Sequence, residues 1–305
     1  MPNPFATPGV WLRCALHAHT TNSDGEFPPE FLVRHYERAG FDVLAITDHW
    51  VRTKQASTNG LVVIPSSELD ARLGDPGRKA HVLALGVNED PPPRGADLPT
   101  LADTADWIVQ HGGVPYLAHP YWSGLRTHEL ERCDGLVGVE VYNAGCELEA
   151  GRGLSSVHWD EILEMGRPCD AIAVDDTHHP GFDSGFAWTW VRASERSPAA
   201  VLRALRDGAC YSSTGPVIED LRLAGRTVEV RCSPASRVTL LTGRGRGASV
   251  VAGRLGYRHG GDILERADDG SVTAARLAAP AGAPYARLEV RDARGETAWT
   301  NPLWR

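Results

Sequence analysis

Two histidines one residue apart, His17 and His19, close a short apolar run, and Asp24 follows five residues later. On an extended strand, residues i and i+2 project to the same side, so both imidazoles can address one point. A shared metal ion requires that geometry, and imidazole with carboxylate suits zinc, manganese or iron. The same residue types recur where later apolar runs finish: His49 after 42–47, Glu68 after 61–64, His119 after 114–118, Asp176 and His178 after 169–174. His81 opens its run instead, and a hairpin over 75–77 would return it to the same end.

Such a set can do hydrolysis. Two divalent ions a few ångströms apart, bridged by a carboxylate and a water, generate hydroxide at neutral pH, polarise the scissile bond and stabilise the developing charge. A mixed His/carboxylate shell leaves positions open for water and substrate, which a closed all-cysteine site does not. We expect a metal-bridged hydroxide as nucleophile. Zinc, manganese and iron all remain open, because such shells accept each of them.

The elements that must position these side chains alternate. Apolar runs at 11–16, 42–47, 61–64, 81–85, 114–118, 136–141, 169–174 and 186–191 predict strands. Helices are predicted over 28–39, over 100–111, from Ser155 or Ser156 to Met165, and over 197–208. Pro28 and Pro29 suit a first turn and Gly40 a stop, and Ser197-Pro198 reads as an N-cap followed by proline. Alternating strands and helices imply βα units around a mainly parallel sheet, with the metal-type residues at the rim where βα barrels build their sites. Beyond Pro216 the helical periodicity disappears, and short alternating stretches at 221–223, 228–230, 238–241 and 287–290 are punctuated by Gly and Pro. The chain therefore reads as α/β: an N-terminal extension at 1–10, a barrel unit over 11–216, and a small all-β, sandwich-like domain over 217–305. Residues 89–99, with four prolines, read as a stiff surface connection.

A chain of 305 residues has room for a barrel of the usual size, about 250 residues, and a smaller unit beside it. Its net charge of −8 argues against general binding to nucleic acid or to an anionic membrane. An acidic protein can still receive a phosphate where a metal supplies local positive charge. No apolar run approaches the roughly 20 residues that span a bilayer, and residues 1–10 lack the pattern of a signal peptide. The expected location is the cytoplasm. Cys14, Cys133, Cys146, Cys169, Cys210 and Cys232 are scattered without a CxxC pair, and read as buried free thiols.

Taken in order, the motif forms are HxHTxxSDG at 17–25, TDH at 47–49, SSE at 66–68, HVL at 81–83, HP at 119–120 and DDTH at 175–178. In this order and spacing, residues 11–215 resemble the PHP (polymerase and histidinol phosphatase) superfamily of metal-dependent hydrolases. The stretches 46–50, 140–143, 175–178, 211–216 and 298–303 further resemble its CehA/McbA branch, named for carbaryl hydrolases, whose many other members are generally called phosphoesterases. The resemblance implies a distorted seven-stranded (β/α) barrel holding up to three ions. It implies His17, His19, Glu68 and Asp176 as ligands of the first. Glu68, His81 and His119 would hold the second, with Glu68 bridging, and Asp24, His49 and His178 the third. Where the family has SDxH this chain has Asp175-Asp176-Thr177-His178, with a second acid in place of a small residue.

Asp176, His178, Glu68 and Asp175 are the candidate catalytic residues, Asp175 as a proton acceptor or an orienting partner. Asp48 is placed to orient His49 or to cap a loop. Tyr121, Trp122, Asn143 and Arg126 are candidate substrate contacts. The expected function is a phosphoesterase, EC 3.1 in class, acting on a small phosphomonoester, a phosphodiester or a nucleotide end. One alternative is a carbamate, ester or amide hydrolase of the carbaryl-hydrolase type. The other is a non-catalytic, metal-stabilised binding module. The expected partner is a small phosphorylated molecule, with no membrane and no general nucleic-acid contact.

Overall fold

β1 (Val10–Ala15) runs into the HxH motif and is followed by α1 (Pro29–Arg38), β2 (Val43–Ile46) and β3 (Val62–Pro65). A hairpin of β4 (Ser67–Arg72) and β5 (Lys79–Leu85) precedes α2 (Leu101–Gln110) and β6 (Val114–Ala118). Then come α3 (Thr127–Leu130), β7 (Gly138–Asn143), α4 (Ala144–Ala150), α5 (Ser156–Glu164), β8 (Asp170–Val174), β9 (Trp188–Ala193), α6 (Pro198–Arg206) and β10 (Cys210–Ser213). Among the described residues only strands follow: β11 (Ile218–Ala224), β12 (Thr227–Ala235), β13 (Arg237–Leu241), β14 (Gly247–Val251), β15 (Arg258–His259), β16 (Gly261–Arg266), β17 (Val272–Ala278), β18 (Arg287–Arg291) and β19 (Thr297–Thr300). This computed structural model describes every residue except 1–2, 75–76, 96, 132–133, 254–257 and 304–305. Asp75 and Pro76 of the expected turn, and Cys133, thus lie outside the described residues; the other five cysteines are buried and free.

Local chemistry accounts for the helix boundaries. Proline stands in the first turn of α1, and Thr100 and Asp103 form a reciprocal capping box at α2. Ser197 accepts the Ala200 N–H ahead of α6. β2, β6 and β8 are buried on both faces, which is why their sequences read as unbroken apolar runs.

The strands form three sheets: ten in the order β15-β14-β13-β18-β19-β10-β9-β1-β2-β3, five in the order β4-β5-β6-β7-β8, and four in the order β11-β12-β17-β16. β1-β2-β3 and β6-β7-β8 are parallel triplets. They share one apolar core, with Leu16, Val43 and Ile64 from the first triplet and Tyr116, Ile172 and Val174 from the second. At the motif ends the isolated bridge Ala18–Thr177 links the two triplets, and His49–Glu68 links the end of β2 to β4. The strands therefore do not form the expected seven-stranded (β/α) barrel as one continuous sheet. The parallel order breaks because β4 folds back antiparallel on β5, and β9 runs antiparallel to β1. Glu68, expected just past a strand, lies within β4.

The C-terminal strands are continuous with this frame. Ser212 of β10 pairs with Trp299 of β19, so the ten-stranded sheet reaches from residue 10 to residue 300. Against it packs the four-stranded sheet, around Val230, Leu240, Val250, Leu288 and Val290. Arg287, fully buried, spans to Asp160 of α5 through two 2.7 Å contacts and takes Glu289 at 2.6 Å. Asn301 accepts the Ala171 N–H at 2.7 Å, joining the chain end to β8.

Candidate metal centre

The ends of β1, β4 and β8 bring four donor atoms together. His17 Nε2 lies 3.0 Å from His19 Nε2, 3.2 Å from Glu68 Oε2 and 3.1 Å from Asp176 Oδ1. His19 Nε2 lies 3.3 Å from each of the same two oxygens. The other oxygen of Glu68, Oε1, is 3.0 Å from His81 Nδ1 and 3.2 Å from His119 Nε2. His49 Nδ1 approaches Glu68 Oε2 to 3.3 Å, and its Nε2 approaches Asp24 Oδ2 to 3.4 Å. Asp24 Oδ1 lies 3.3 Å from His19 Nδ1 and 3.5 Å from His178 Nε2. All nine ligands expected from sequence meet here.

A shell of other side chains holds these donors in place. Glu140 Oε1 accepts His17 Nδ1–H at 2.7 Å; its Oε2 accepts the His119 backbone N–H at 2.8 Å and Asn143 Nδ2 at 2.9 Å. Asn143 Nδ2 also donates to Asp176 Oδ2 at 3.0 Å, which leaves Oδ1 turned to the histidines. Asp70 faces His81 Nε2 at 3.0 Å and is itself held by Lys79 and Arg94. Asp48 accepts Thr20 N–H and Ser23 Oγ–H, and Thr53 bonds its other oxygen. Of the two roles open to Asp48, the structure shows the loop anchor: it fixes the turn that carries Asp24.

The backbone is strained at two of the expected ligands. His119 has φ +28° and Asp176 has φ +57°, a region that non-glycine residues rarely occupy and that collects at functional sites. Gly145 makes room beside Asp176: a Cβ there would sit 2.9 Å from the Asp176 carbonyl oxygen.

The charges are strongly coupled. Burial alone would depress His17, but Asp176, Glu68 and Glu140 outweigh it and lift the imidazole to about 10. His81 likewise rises to about 9, with Glu68 and Asp70 overcoming burial. Burial pushes Asp176 and Glu68 up, yet the surrounding imidazoles hold both well below the usual carboxylate range. A buried cluster of this kind needs positive charge. Divalent cations fit the need: three donor groups, His17/His19/Asp176, His49/Glu68/His81 and His19/Asp24/His49/His178, have atoms mutually within 4.8 Å. Asp176 Oδ1 and His81 Nδ1 are buried without a hydrogen-bond partner while facing that cluster, as ligands would be.

Three of the expected contacts, and one expected catalytic group, are placed elsewhere. Asn143 is fully buried and positions Asp176 and Glu140, so it does not meet substrate. Arg126 stands exposed at the start of α3, off the cavity wall. Tyr121 packs by His158 and Arg152, also off the wall. Asp175 is a structural anchor: it accepts Tyr36 Oη–H and the N–H groups of Gly185, Phe186 and Ala187, and burial raises its carboxyl to about 6. Trp122 does line the cavity, its ring 5.0 Å from that of His119. Sequence reasoning missed the supporting roles of Glu140 and Asp70. Both lie on strands three residues before, or two after, a residue already singled out, Asn143 and Glu68; only that proximity could have marked them. Leu148, Phe182 and Asp183 on the cavity wall carried no signal at all.

Fold and site thus define a mixed α/β protein with a buried imidazole–carboxylate cluster at its parallel-strand ends. No family model matches the chain, and neither does any curated protein. Among solved structures, the fold is similar to that of a two-domain protein from Bacteroides vulgatus, described as containing a predicted PHP-like metal-dependent phosphoesterase. The match covers 99% of each chain at 17% identity and a TM-score of 0.53. A second similarity, to an amidohydrolase from Chromobacterium violaceum with bound sulfate and no metal, covers 56% of this chain and 89% of that one, at 16% identity and a TM-score of 0.39.

Proposed function

We propose that the chain is a divalent-metal-dependent hydrolase of the PHP type that cleaves phosphoesters. One observation carries this reading. Glu68 addresses His17, His19 and His49 through one oxygen and His81 and His119 through the other, so a single carboxylate spans adjacent donor sets. The B. vulgatus protein, similar over its whole length, supports the PHP assignment. We read the two sheets as an interrupted form of the seven-stranded barrel, and place the chain in the CehA/McbA-like branch. Two or three ions of zinc, manganese or iron and a small phosphorylated substrate in the cytoplasm belong to the same proposal. No helix among the described residues is long and apolar enough to cross a membrane.

Divalent ions held here would supply Lewis acidity, making water nucleophilic at neutral pH and neutralising charge in the transition state. The chain's own residues do the rest. Glu140 and Asp70 hold the imidazoles of His17 and His81 in one orientation, which keeps the donor atoms aimed inward. Asn143 and Gly145 fix Asp176. Trp122 screens His119 and His81 from solvent on one side.

The test is turnover by the metal-loaded chain on p-nitrophenyl phosphate, bis(p-nitrophenyl) phosphate, p-nitrophenyl acetate and naphthyl carbamates. We expect phosphoester cleavage that chelator abolishes and Asp176→Ala removes. Cleavage of acetate or carbamate without any phosphoester would replace this reading with the carboxylic-ester one. Ligand binding equal in wild type and Asp176→Ala, with no turnover in either, would favour a non-catalytic module.

A further inference from the structure

We infer that Asp183 is a positioning residue for His178: it sets the loop that presents this imidazole to the donor group His19/Asp24/His49/His178. This rests on the metal-dependent reading above and adds a residue on which assembly of that donor group depends. Asp183 is buried, 5% exposed, on the cavity wall. Its Oδ2 accepts the backbone N–H groups of His178 and His179, each at 2.8 Å. Its Oδ1 is buried without a hydrogen-bond partner. The carboxylate is thus directed at two successive amides, the first of them that of an expected ligand. Hydrogen bonds to an ionised acceptor are about twice as strong as neutral ones, so they hold this stretch of backbone firmly.

This donor group is built differently from the rest of the cluster. His17 follows β1 and Glu68 lies within β4, with side chains 0% and 1% exposed, so packing alone fixes them. Asp24 and His178 stand on loops, with side chains 52% and 29% exposed. Each of those loops carries one buried carboxylate in place of packing. Asp48 accepts from Thr20 and Ser23 and holds the turn of Asp24. Asp183 reaches back along its own loop to hold His178. The Glu26 N–H donates to the His178 carbonyl at 2.9 Å and ties the two loops together. With its backbone fixed, the His178 ring has one orientation. Nδ1–H donates to the Asp176 carbonyl at 3.0 Å, because a carbonyl only accepts. The ring stacks on His19 with centroids 4.2 Å apart, and Nε2 is left 3.5 Å from Asp24 Oδ1.

The far end of the loop is anchored independently. Asp175 accepts the N–H groups of Gly185, Phe186 and Ala187. Ser184 Oγ lies 2.7 Å from His35 Nε2 on α1 and accepts the Gly181 N–H at 3.2 Å. Loss of the Asp183 carboxylate therefore loosens residues 178–183 and leaves the fold in place. Asparagine would keep an oxygen for both N–H groups. Alanine keeps none, and glutamate keeps the charge but moves its oxygens by one methylene.

The experiment titrates the full chain, labelled with ¹⁵N-histidine, with Zn²⁺ and follows the imidazole nitrogens by NMR. The His178 and His17 signals are identified by their loss in His178→Gln and His17→Gln. We expect both rings to respond in the wild type. In Asp183→Ala the Zn²⁺ concentration at half-response of His178 should rise by about 10- to 100-fold, while that of His17 stays close to wild type. Asp183→Glu should weaken the His178 response in the same direction, which keeps the inference testable should Asp183→Ala not fold. Asp183→Asn should restore it, and circular dichroism should show the native fold. A His178 response unchanged in Asp183→Ala and Asp183→Glu overturns the inference and leaves the hydrolase reading standing. So does a His178 ring that ignores Zn²⁺ while His17 responds. A loss that His17 shares equally, or one that Asp183→Asn does not restore, also overturns positioning by these two bonds. No response of either ring in the wild type overturns the metal-dependent reading and the inference with it.

Discussion

Glu140 Oε1 accepts a hydrogen bond from His17 Nδ1 across 2.7 Å, with both side chains fully buried. Through its second oxygen the same carboxylate holds the His119 backbone N–H, so one side chain ties together the ends of β1 and β6. An ionised carboxylate is an acceptor only, which fixes the His17 proton on Nδ1 and frees Nε2 for the cluster. Glu140→Gln keeps the size and loses that constraint. Metal affinity should fall by about 10- to 100-fold, as second contacts to metal ligands commonly dictate. Isothermal titration with Zn²⁺ or Mn²⁺ measures it, and an unchanged affinity would reduce Glu140 to a packing residue.

Gly145→Ala probes the cluster without touching a donor. The added Cβ would lie 2.9 Å from the Asp176 carbonyl oxygen and 3.2 Å from that of Asp175, both backbone atoms, so the ligand loop must shift. Weaker metal binding with the fold intact by circular dichroism is the expected result. Wild-type affinity in this variant would show that the loop gives way freely.

Metal removal should expose a pH dependence. In the metal-free chain His17 stands at about 10 and His81 at about 9, above the 6.5 of a free imidazole, because carboxylates outweigh burial. The folded state then holds protons that the unfolded chain releases. Stability from these two groups is full below about pH 6.5 and is lost as pH rises through 9 to 10. Bound ions replace those protons, so the loaded protein should not decline over this range. Thermal melts with and without chelator from about pH 6.5 to 9.5 decide it. A flat metal-free Tm across that window would contradict the assignment.

Asp160→Ala should destabilise the chain by about 3 kcal/mol, since it strips the two 2.7 Å contacts from a fully buried Arg287 and leaves Glu289 as its remaining ion-pair partner. The loss should spread to the half that carries the donor cluster, because Asp160 sits on α5 and Arg287 on β18. Urea denaturation gives the magnitude. A change below about 1 kcal/mol would mean that Glu289 alone satisfies the guanidinium.

The chain order of donors, the apolar runs that become β2, β6 and β8, and the starts of α1 and α6 were legible because each is a short-range pattern: spacing, propensity and capping are properties of neighbours in sequence. The return of His81 to the cluster was left open by the sequence; the antiparallel pairing of Asp70 with His81 across β4 and β5 brings it there. The misplacements share a cause. Asp175 and Asn143 carry the right chemistry at the right strand ends, but adjacent residues at such an end point in different directions. Asp176 turns into the cluster with φ +57° while Asp175 is taken up by Tyr36 and three backbone amides.

Sequence by itself determined which side chains could ligate and the order in which they arrive, since residue type and short spacing suffice for that. Only the tertiary structure decided that the first sheet meets the second through isolated bridges rather than in one closed sheet, and that Glu140, Asp70 and Asn143 orient the donors. It also decided that the cavity wall is acidic and apolar. Those features depend on contacts between residues from eleven to more than a hundred positions apart, and no local pattern of charge or hydropathy encodes them.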